Sequence, residues 1–303
     1  MKVYPLMRYR WYYLIALGVV TVFALLMVFV SGLNLGIEFH GGVRAEIKLN
    51  ATASSDKQVA DLRAALAGVG VAGAVVQPSG AGSYLITAEA MTDQQFKDAI
   101  AKLDPAYGAQ SSAAGIERVG PSFGAEMKQR VLLAILIDFL ALIIYISIRF
   151  NYKFAIPAIV ALLHDVGLTL GIYALTGRLV TAATVAAALT ILGYSMHDTI
   201  IVFDRIRENT PLMKKETYGE MVNLSIRQTM ARSINTSVTA LLPVVSILLF
   251  GGVTLKDFAF ALLIGIVSGT YSSFFVASPL LVIWKEREPQ YRRRVALAQK
   301  SVA

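Results

Sequence analysis

The 303-residue chain is 56% hydrophobic and only 16% charged, with a mean hydropathy of +0.60, which is too apolar for an ordinary soluble domain. It has no cysteine, so disulfide scaffolds and thiolate metal sites are excluded. The net charge of +8 comes from lysines and arginines beside apolar runs. No recognition motif accompanies them, so the charge points to a lipid surface and to topology rather than to nucleic acid.

A helix needs roughly 20 apolar residues to cross a hydrocarbon core about 30 Å thick. Six runs qualify, near 12–31, 130–149, 155–176, 180–203, 234–251 and 258–284. The first follows Lys2, Arg8 and Arg10 but lacks a small-residue cleavage site, so residues 1–32 read as a tail and a retained helix rather than a signal peptide. With the N-terminus inside, Arg149, Lys153, Arg205, Arg207, Lys214, Lys215, Arg227 and Arg232 fall in the cytoplasm. So do Lys285, Arg287, Arg292, Arg293, Arg294 and Lys300 of a basic tail, 285–303, while the short outer connections keep only Arg178 and Lys256. This asymmetry predicts an even number of spans with both termini cytoplasmic.

Residues 33–128 then lie outside or in the periplasm, and are numerous enough for a small domain. "VRAEIKL" (43–49) alternates as a strand, "DKQVADLRAALAGV" (56–69) has helical spacing ending at Gly70, and "AGAVVQ" (72–77) is strand-like. After the turn "PSGAG" (78–82) come the strand "SYLITAE" (83–89) and a helix "TDQQFKDAIAKLD" (92–104), opened by a Thr92 cap and closed before Pro105. A last strand near 111–118 completes β-α-β-β-α-β, the ferredoxin-like order. The predicted fold is therefore an all-α membrane bundle of six helices with a small α+β domain inserted after the first. Residues 129–284 form the rest of the bundle.

A carboxylate near a helix centre costs about 2.5–3.5 kcal/mol on insertion scales, so each one needs a partner, a proton or water. The apolar runs hold Asp138 in "LAILIDFLALII", His164 and Asp165 in "IVALLHDVGLTLG", and His197 and Asp198 in "GYSMHDTIIVFDRIREN". Tyr194 shares the face of Asp198. Arg232 opens the run "SINTSVTALLPVVSILLF", with Thr236, Thr239 and Pro243 on its face. A hydrogen bond from Arg232 back to Asp198 gives either a structural clamp or an ion-coupling pair. His164 and His197 are candidate relays, but adjacent helical residues diverge by about 100°, so neither His-Asp pair touches directly. Two histidines without cysteine or a suitably spaced glutamate do not make a zinc site. On the last run, Gly265, Gly269 and Ser273 form a small face suited to close packing or to sliding.

Together, "GYSMHDTIIVFDRIREN", "RQTMARSINTSVTALLPV", "ALLHDVGLTLG" and "GIVSGTYSSFFVASPLL" resemble the SecF members of the SecD/SecF family of protein-export membrane proteins, of the resistance-nodulation-division type. The resemblance implies a non-enzymatic subunit that pairs with SecD beside the SecYEG channel. Such a hetero-oligomer draws on a proton gradient, or in some relatives sodium, to move unfolded preprotein, and no cofactor is implied. Asp198 and Arg232 match the family's ion-coupling acid and arginine, with His197 where asparagine is expected. "LNLGIEFHGGVRAEI" resembles the family's G-x-D-F-x-G-G motif, with Glu38 in place of aspartate and Phe39, Gly41 and Gly42 retained. Asp138 has no counterpart there. Three rival readings stand beside this one: a passive scaffold of the channel, half of a small-molecule exporter, and an intramembrane aspartyl protease, whose G-x-G-D pattern is missing.

Overall fold

Every apolar run continues into a longer helix, because the polar flanks also find partners. The computed structural model describes residues 5–50, 54–80, 82–108, 110–111, 116–214 and 216–292. Lys2, Lys215, Arg293, Arg294 and Lys300, invoked above for orientation, lie outside them. In chain order the first elements are α1 (Arg10–Ser31), β1 (Asn34–Leu35), α2 (Ile37–His40), β2 (Gly42–Lys48), α3 (Ser55–Ala67), β3 (Val75–Gly80) and β4 (Ser83–Ala88). There follow α4 (Asp93–Tyr107), β5 (Gln110–Ser111), β6 (Glu117–Val119), α5 (Pro121–Arg149), α6 (Tyr152–Thr176) and β7 (Leu179–Val180). The chain continues with α7 (Ala182–Asn209), α8 (Tyr218–Phe250), α9 (Val253–Ser272) and α10 (Ser278–Glu286). Six helices among the described residues are long and apolar enough to span a membrane, α9 and α10 acting as one span through a π-helical turn, Ser273–Ala277.

The longest extension is in α8, which starts well before its apolar run. Capping boxes fix where α7 and α8 begin: Thr181 with Thr184, and Thr217 with Glu220. The first turns of α8 then bury Tyr218, Met221, Val222 and Ile226 against Phe154 and Phe203. Charges lock the same end. Arg10 pairs with Glu286 at 2.7 Å, and Glu288 takes Lys153 at 2.9 Å and Lys285 at 3.2 Å. Burial pushes the Glu288 carboxyl up, but the two ammonium groups outweigh it and hold the group below its ordinary range. The centre of the bundle is α6, α7 and α9–α10. In α9–α10 67% of the most apolar stretch is buried, against 6% in α1 and in α5.

The α+β domain has a sheet of order β3-β4-β2-β5, all neighbours antiparallel, with Val43 opposite Ala88 and Lys48 opposite Ser83. Two β-α-β units interleave in it, consistent with the expected β-α-β-β-α-β order. Helices α3 and α4 bury Leu62, Leu66, Phe96 and Leu103 with Ile47 and Ile86 of the sheet. Three details differ from expectation. Strand β3 begins at Val75 and pairs with β4 as far as Gly80, through residues 78–80 of the expected turn. Helix α4 runs through Pro105 to Tyr107, whose ring is buried and whose hydroxyl donates to Asp61, and the left-handed Gly108 ends it. The final strand is two pieces on the edge of β2, with β5 at Ile47–Lys48 and β6 at Gly42–Arg44. Residues 112–115 of the expected strand, and Ala81 of the expected turn, lie outside the described residues.

Candidate functional site

At mid-bundle, α6 carries His164 and Asp165 side by side, and each reaches a different neighbour. Asp165 is fully buried, and its Oδ2 accepts hydrogen bonds from Ser195 of α7 (2.6 Å) and Ser272 of α9 (2.9 Å). Its Oδ1 has no partner. His164 lies 2.5 Å through Nδ1 from the Thr21 hydroxyl of α1 and 2.8 Å through Nε2 from the Tyr271 hydroxyl of α9. The proton of Thr21 is already given to the Leu17 carbonyl, at 2.7 Å. With the Thr21 proton on that carbonyl, the consistent arrangement has Nδ1–H donating to Thr21 and Tyr271 donating to Nε2. Two adjacent residues of α6 thus hook two adjacent residues of α9, diverging as helical geometry requires.

Small residues make this approach possible. A Cβ on Gly269 would sit 2.8 Å from the Ser195 Cβ, and one on Gly265 would collide with Ile191. With glycine there, α9 closes on α7 and Ser273 comes within 2.8 Å of Thr199. The chain relaxes into the π-helical turn directly after these contacts, a distortion common where a helix carries function.

Asp198 is treated differently. It is 1% exposed, and neither carboxylate oxygen has a hydrogen-bond partner. Ser233 of α8 is its nearest hydrogen-bonding neighbour, but the two lie outside the geometry of a formed bond. The hydrogen bond expected from Arg232 is not formed. Arg232 is exposed and makes none of the ion pairs among the described residues. The reason is rotational: α8 turns Ser233 and Ser237 inward, and at 100° per residue the preceding arginine falls on the outer face. Around the acid run hydroxyls, with Tyr194 donating to Ser237 at 3.1 Å and Ser237 lying 2.6 Å from Thr270 of α9. Thr236 donates to the Arg232 carbonyl at 2.9 Å, and His197 is exposed. Asp138, on α5, is half-buried with one oxygen unpartnered, and nothing in the structure explains it.

The glycine motif after α1 is a joint. β1 pairs with β7 in parallel, and the Gly36 N–H donates to the Val180 carbonyl at 2.9 Å. Phe39 packs with Tyr173 and Ile191 of the bundle, and Glu38 pairs with the buried Arg44 at 3.1 Å. Gly41 has φ +76°, and a Cβ there would lie 2.9 Å from the Pro121 backbone; Gly42 has φ +138°, with the Ala88 carbonyl oxygen at 2.6 Å. Only glycine tolerates both the dihedral and the approach.

Sequence spacing singled out Asp165, Asp198 and Tyr194, and it noted the small face of α9. It missed Ser195 and Ser272 as partners of Asp165, and Thr21 and Tyr271 as partners of His164. The one signal available was the run of hydroxyls among the small residues Ser268, Ser272 and Ser273.

Residues 99–287 match the family described as "Protein export membrane protein SecD/SecF, C-terminal", and residues 27–53 match the "SecD/SecF GG Motif". The chain belongs to the SecD/SecF family. It is 36% identical over 301 residues to the protein translocase subunit SecF of Desulfurispirillum indicum, covering 95% of each chain. To SecF of Streptomyces coelicolor it is 41% identical, covering 90% of this chain and 74% of that one. It resembles the crystal structure of SecDF, a translocon-associated membrane protein from Thermus thermophilus, with a TM-score of 0.85 at 34% identity over 94% of this chain. A SecDF structure in a super-membrane-facing form gives 0.71 at the same identity over 99% of this chain. The chain spans 39% and 40% of those two SecDF chains. Membership makes it a multi-pass membrane subunit with a role in protein export, and not an enzyme.

Proposed function

We propose that this chain works with a SecD partner beside the SecYEG channel of the bacterial inner membrane, using the proton gradient to assist unfolded preprotein across. Both termini lie in the cytoplasm, the domain at 33–128 lies outside, and residues 129–284 and 285–303 form the remaining bundle and the tail. No cofactor is needed, since the gradient supplies the energy. Asp198 carries the proton and Arg232 is its counter-charge.

One observation carries this reading: an aspartate buried in a span with both oxygens unbonded. A buried polar group without a partner costs about 1–3 kcal/mol and more when charged, so a purely structural acid is poorly served here. The unpaired arrangement is assigned to the neutral acid. On ionisation, a turn of α8 by one residue position exchanges Ser233 for Arg232, and the paired carboxylate is the second arrangement. Relay through Tyr194, Ser237 and Thr270 gives the proton a route across the α7–α9 face, while His197, being exposed, tunes the site at most through its charge. The motif at Glu38, Phe39, Gly41 and Gly42 transmits the movement to the α+β domain. One SecDF structure is described as a super-membrane-facing form, in keeping with a family that changes shape.

A passive scaffold is the second reading, favoured by the Asp165 clamp and the ion pairs at the α1–α10 end. Asp198→Asn separates the two. Export driven by an imposed proton gradient is lost in the variant under the proposal and unchanged for a scaffold.

A further inference from the structure

Two cavities on the outer side of α1, α6 and α10 are parts of one groove. The first, of about 740 Å³, is walled by Trp11, Leu14, Val160, Leu280 and Trp284, with Arg287 at its mouth. The second, of about 590 Å³, shares Leu14, Val160 and Leu280 and continues to Leu25 and Leu170. From Trp11 to Leu25 a helix rises roughly 21 Å, which is the depth of one leaflet with its headgroup, half of about 40–45 Å. The walls are apolar throughout that length apart from Thr21 and His164, which satisfy each other, and the far end of the groove presents no charge.

The mouth differs in charge from the rest of that rim. Arg10 is taken by Glu286, and Lys153 and Lys285 by Glu288. Glu288 also borders the groove, but with two ammonium groups on it the carboxylate is already matched. Arg287 is exposed and makes none of the ion pairs among the described residues. It lines the same cavity as Trp11 and Trp284, side chains of the kind that favours the headgroup level. We infer that the groove is a binding site for one anionic phospholipid, its phosphate on Arg287 and an acyl chain along α1 and α6. An unpaired guanidinium above a leaflet-deep apolar slot matches that molecule at both ends, and basic pockets between spanning helices bind such headgroups elsewhere. A helix of a partner subunit would fill the slot but leave the guanidinium without an anion.

The chain's only two tryptophans, Trp11 and Trp284, both border the mouth, so their fluorescence reads occupancy directly. The full chain is reconstituted in phosphatidylcholine vesicles holding a rising fraction of phosphatidylglycerol brominated in mid-chain. We expect quenching that saturates at a low mole fraction. Half-saturation should shift about five-fold upward in Arg287→Gln, the factor for one cation at a membrane surface, and similarly when brominated phosphatidylcholine replaces the anionic lipid. Gly18→Phe tests the chain-binding half. Beyond its own stretch of helix, nothing lies within 4 Å of a Cβ built at Gly18, which lines the groove, so the ring enters the groove, and the melting temperature serves as control for packing. It should raise half-saturation with the melting temperature unchanged. The inference is overturned by quenching that follows the bulk lipid fraction without saturating, by equal affinity for the two headgroups, or by an Arg287→Gln curve that overlays the parent. Loss of quenching on adding a partner subunit, with lipid still present, assigns the groove to a protein helix instead.

Discussion

Two seams of the bundle bury an aspartate, and they serve it in opposite ways. Where α6 meets α7 and α9, Asp165 receives two serine hydroxyls, and the neighbouring His164 is bonded at both ring nitrogens. Where α7 meets α8, Asp198 has no bond at either oxygen, and Arg232, the arginine proposed as its partner, is exposed. The first seam ties one carboxylate oxygen to two helices, although the other oxygen is unpartnered, and so resists movement. The second is left short of a partner, and under the proposed mechanism a rotation of α8 supplies one. A machine that couples an ion to motion needs both: a fixed seam that defines the frame and an unsatisfied one that moves against it.

The comparison can be broken in several places. The largest effect is expected for Arg232→Gln, which removes the counter-charge: gradient-driven export should fall to background while melting in detergent stays close to the parent, because Arg232 makes no ion pair in this arrangement. Gly269→Leu should come next. Its side chain enters the space of Ser195, and overpacking of this kind costs about 1–3 kcal/mol, read as a lower melting temperature together with loss of export.

The two acids themselves give a sharper contrast. Asp165→Ala strands the hydroxyl of Ser195 and leaves that of Ser272 only the Gly269 carbonyl at 3.3 Å, and with intramembrane hydrogen bonds worth about 0.6–1.7 kcal/mol each it should lower stability measurably. Asp198→Ala removes an acid with no bonds and should leave stability unchanged or raise it. Equal losses in the two would abolish the distinction.

The smallest effect is expected at the charged latch outside the spans. Glu288 is held below its ordinary value of 4.5, so its contribution is complete above that value and is lost as pH falls through the lower folded-state range. The difference in melting temperature between parent and Glu288→Gln should shrink on acidification. A difference that grows instead would mean the carboxylate is not what the lysines stabilise.

Much of this was legible before the fold. Six spans followed from run length, the sheet from alternation and turn residues, and the acids from their apolar surroundings. What spacing does not carry is the rotation of one helix against another. It ranks residues around a single axis, and Arg232 and Ser233 are adjacent there, yet only contact with α7 and α9 decides which of them turns inward. The partners of His164 were hidden for a related reason. Thr21 and Tyr271 lie 143 and 107 residues away along the chain, and a hydroxyl in an apolar helix ordinarily bonds its own backbone, as Thr21 also does. Helix ends were short in the sequence reading because hydropathy stops where charge begins, whereas Tyr218 and Met221 are buried by packing.

The central claim is that Asp198 takes up and releases a proton while Arg232 enters and leaves its company. Infrared difference spectroscopy of the reconstituted protein across a pH change reads this most directly. The account requires a protonated-carboxyl band that bleaches as pH rises, vanishes in Asp198→Asn and shifts to higher pH in Arg232→Gln. A spectrum identical in the parent and in Asp198→Asn contradicts it.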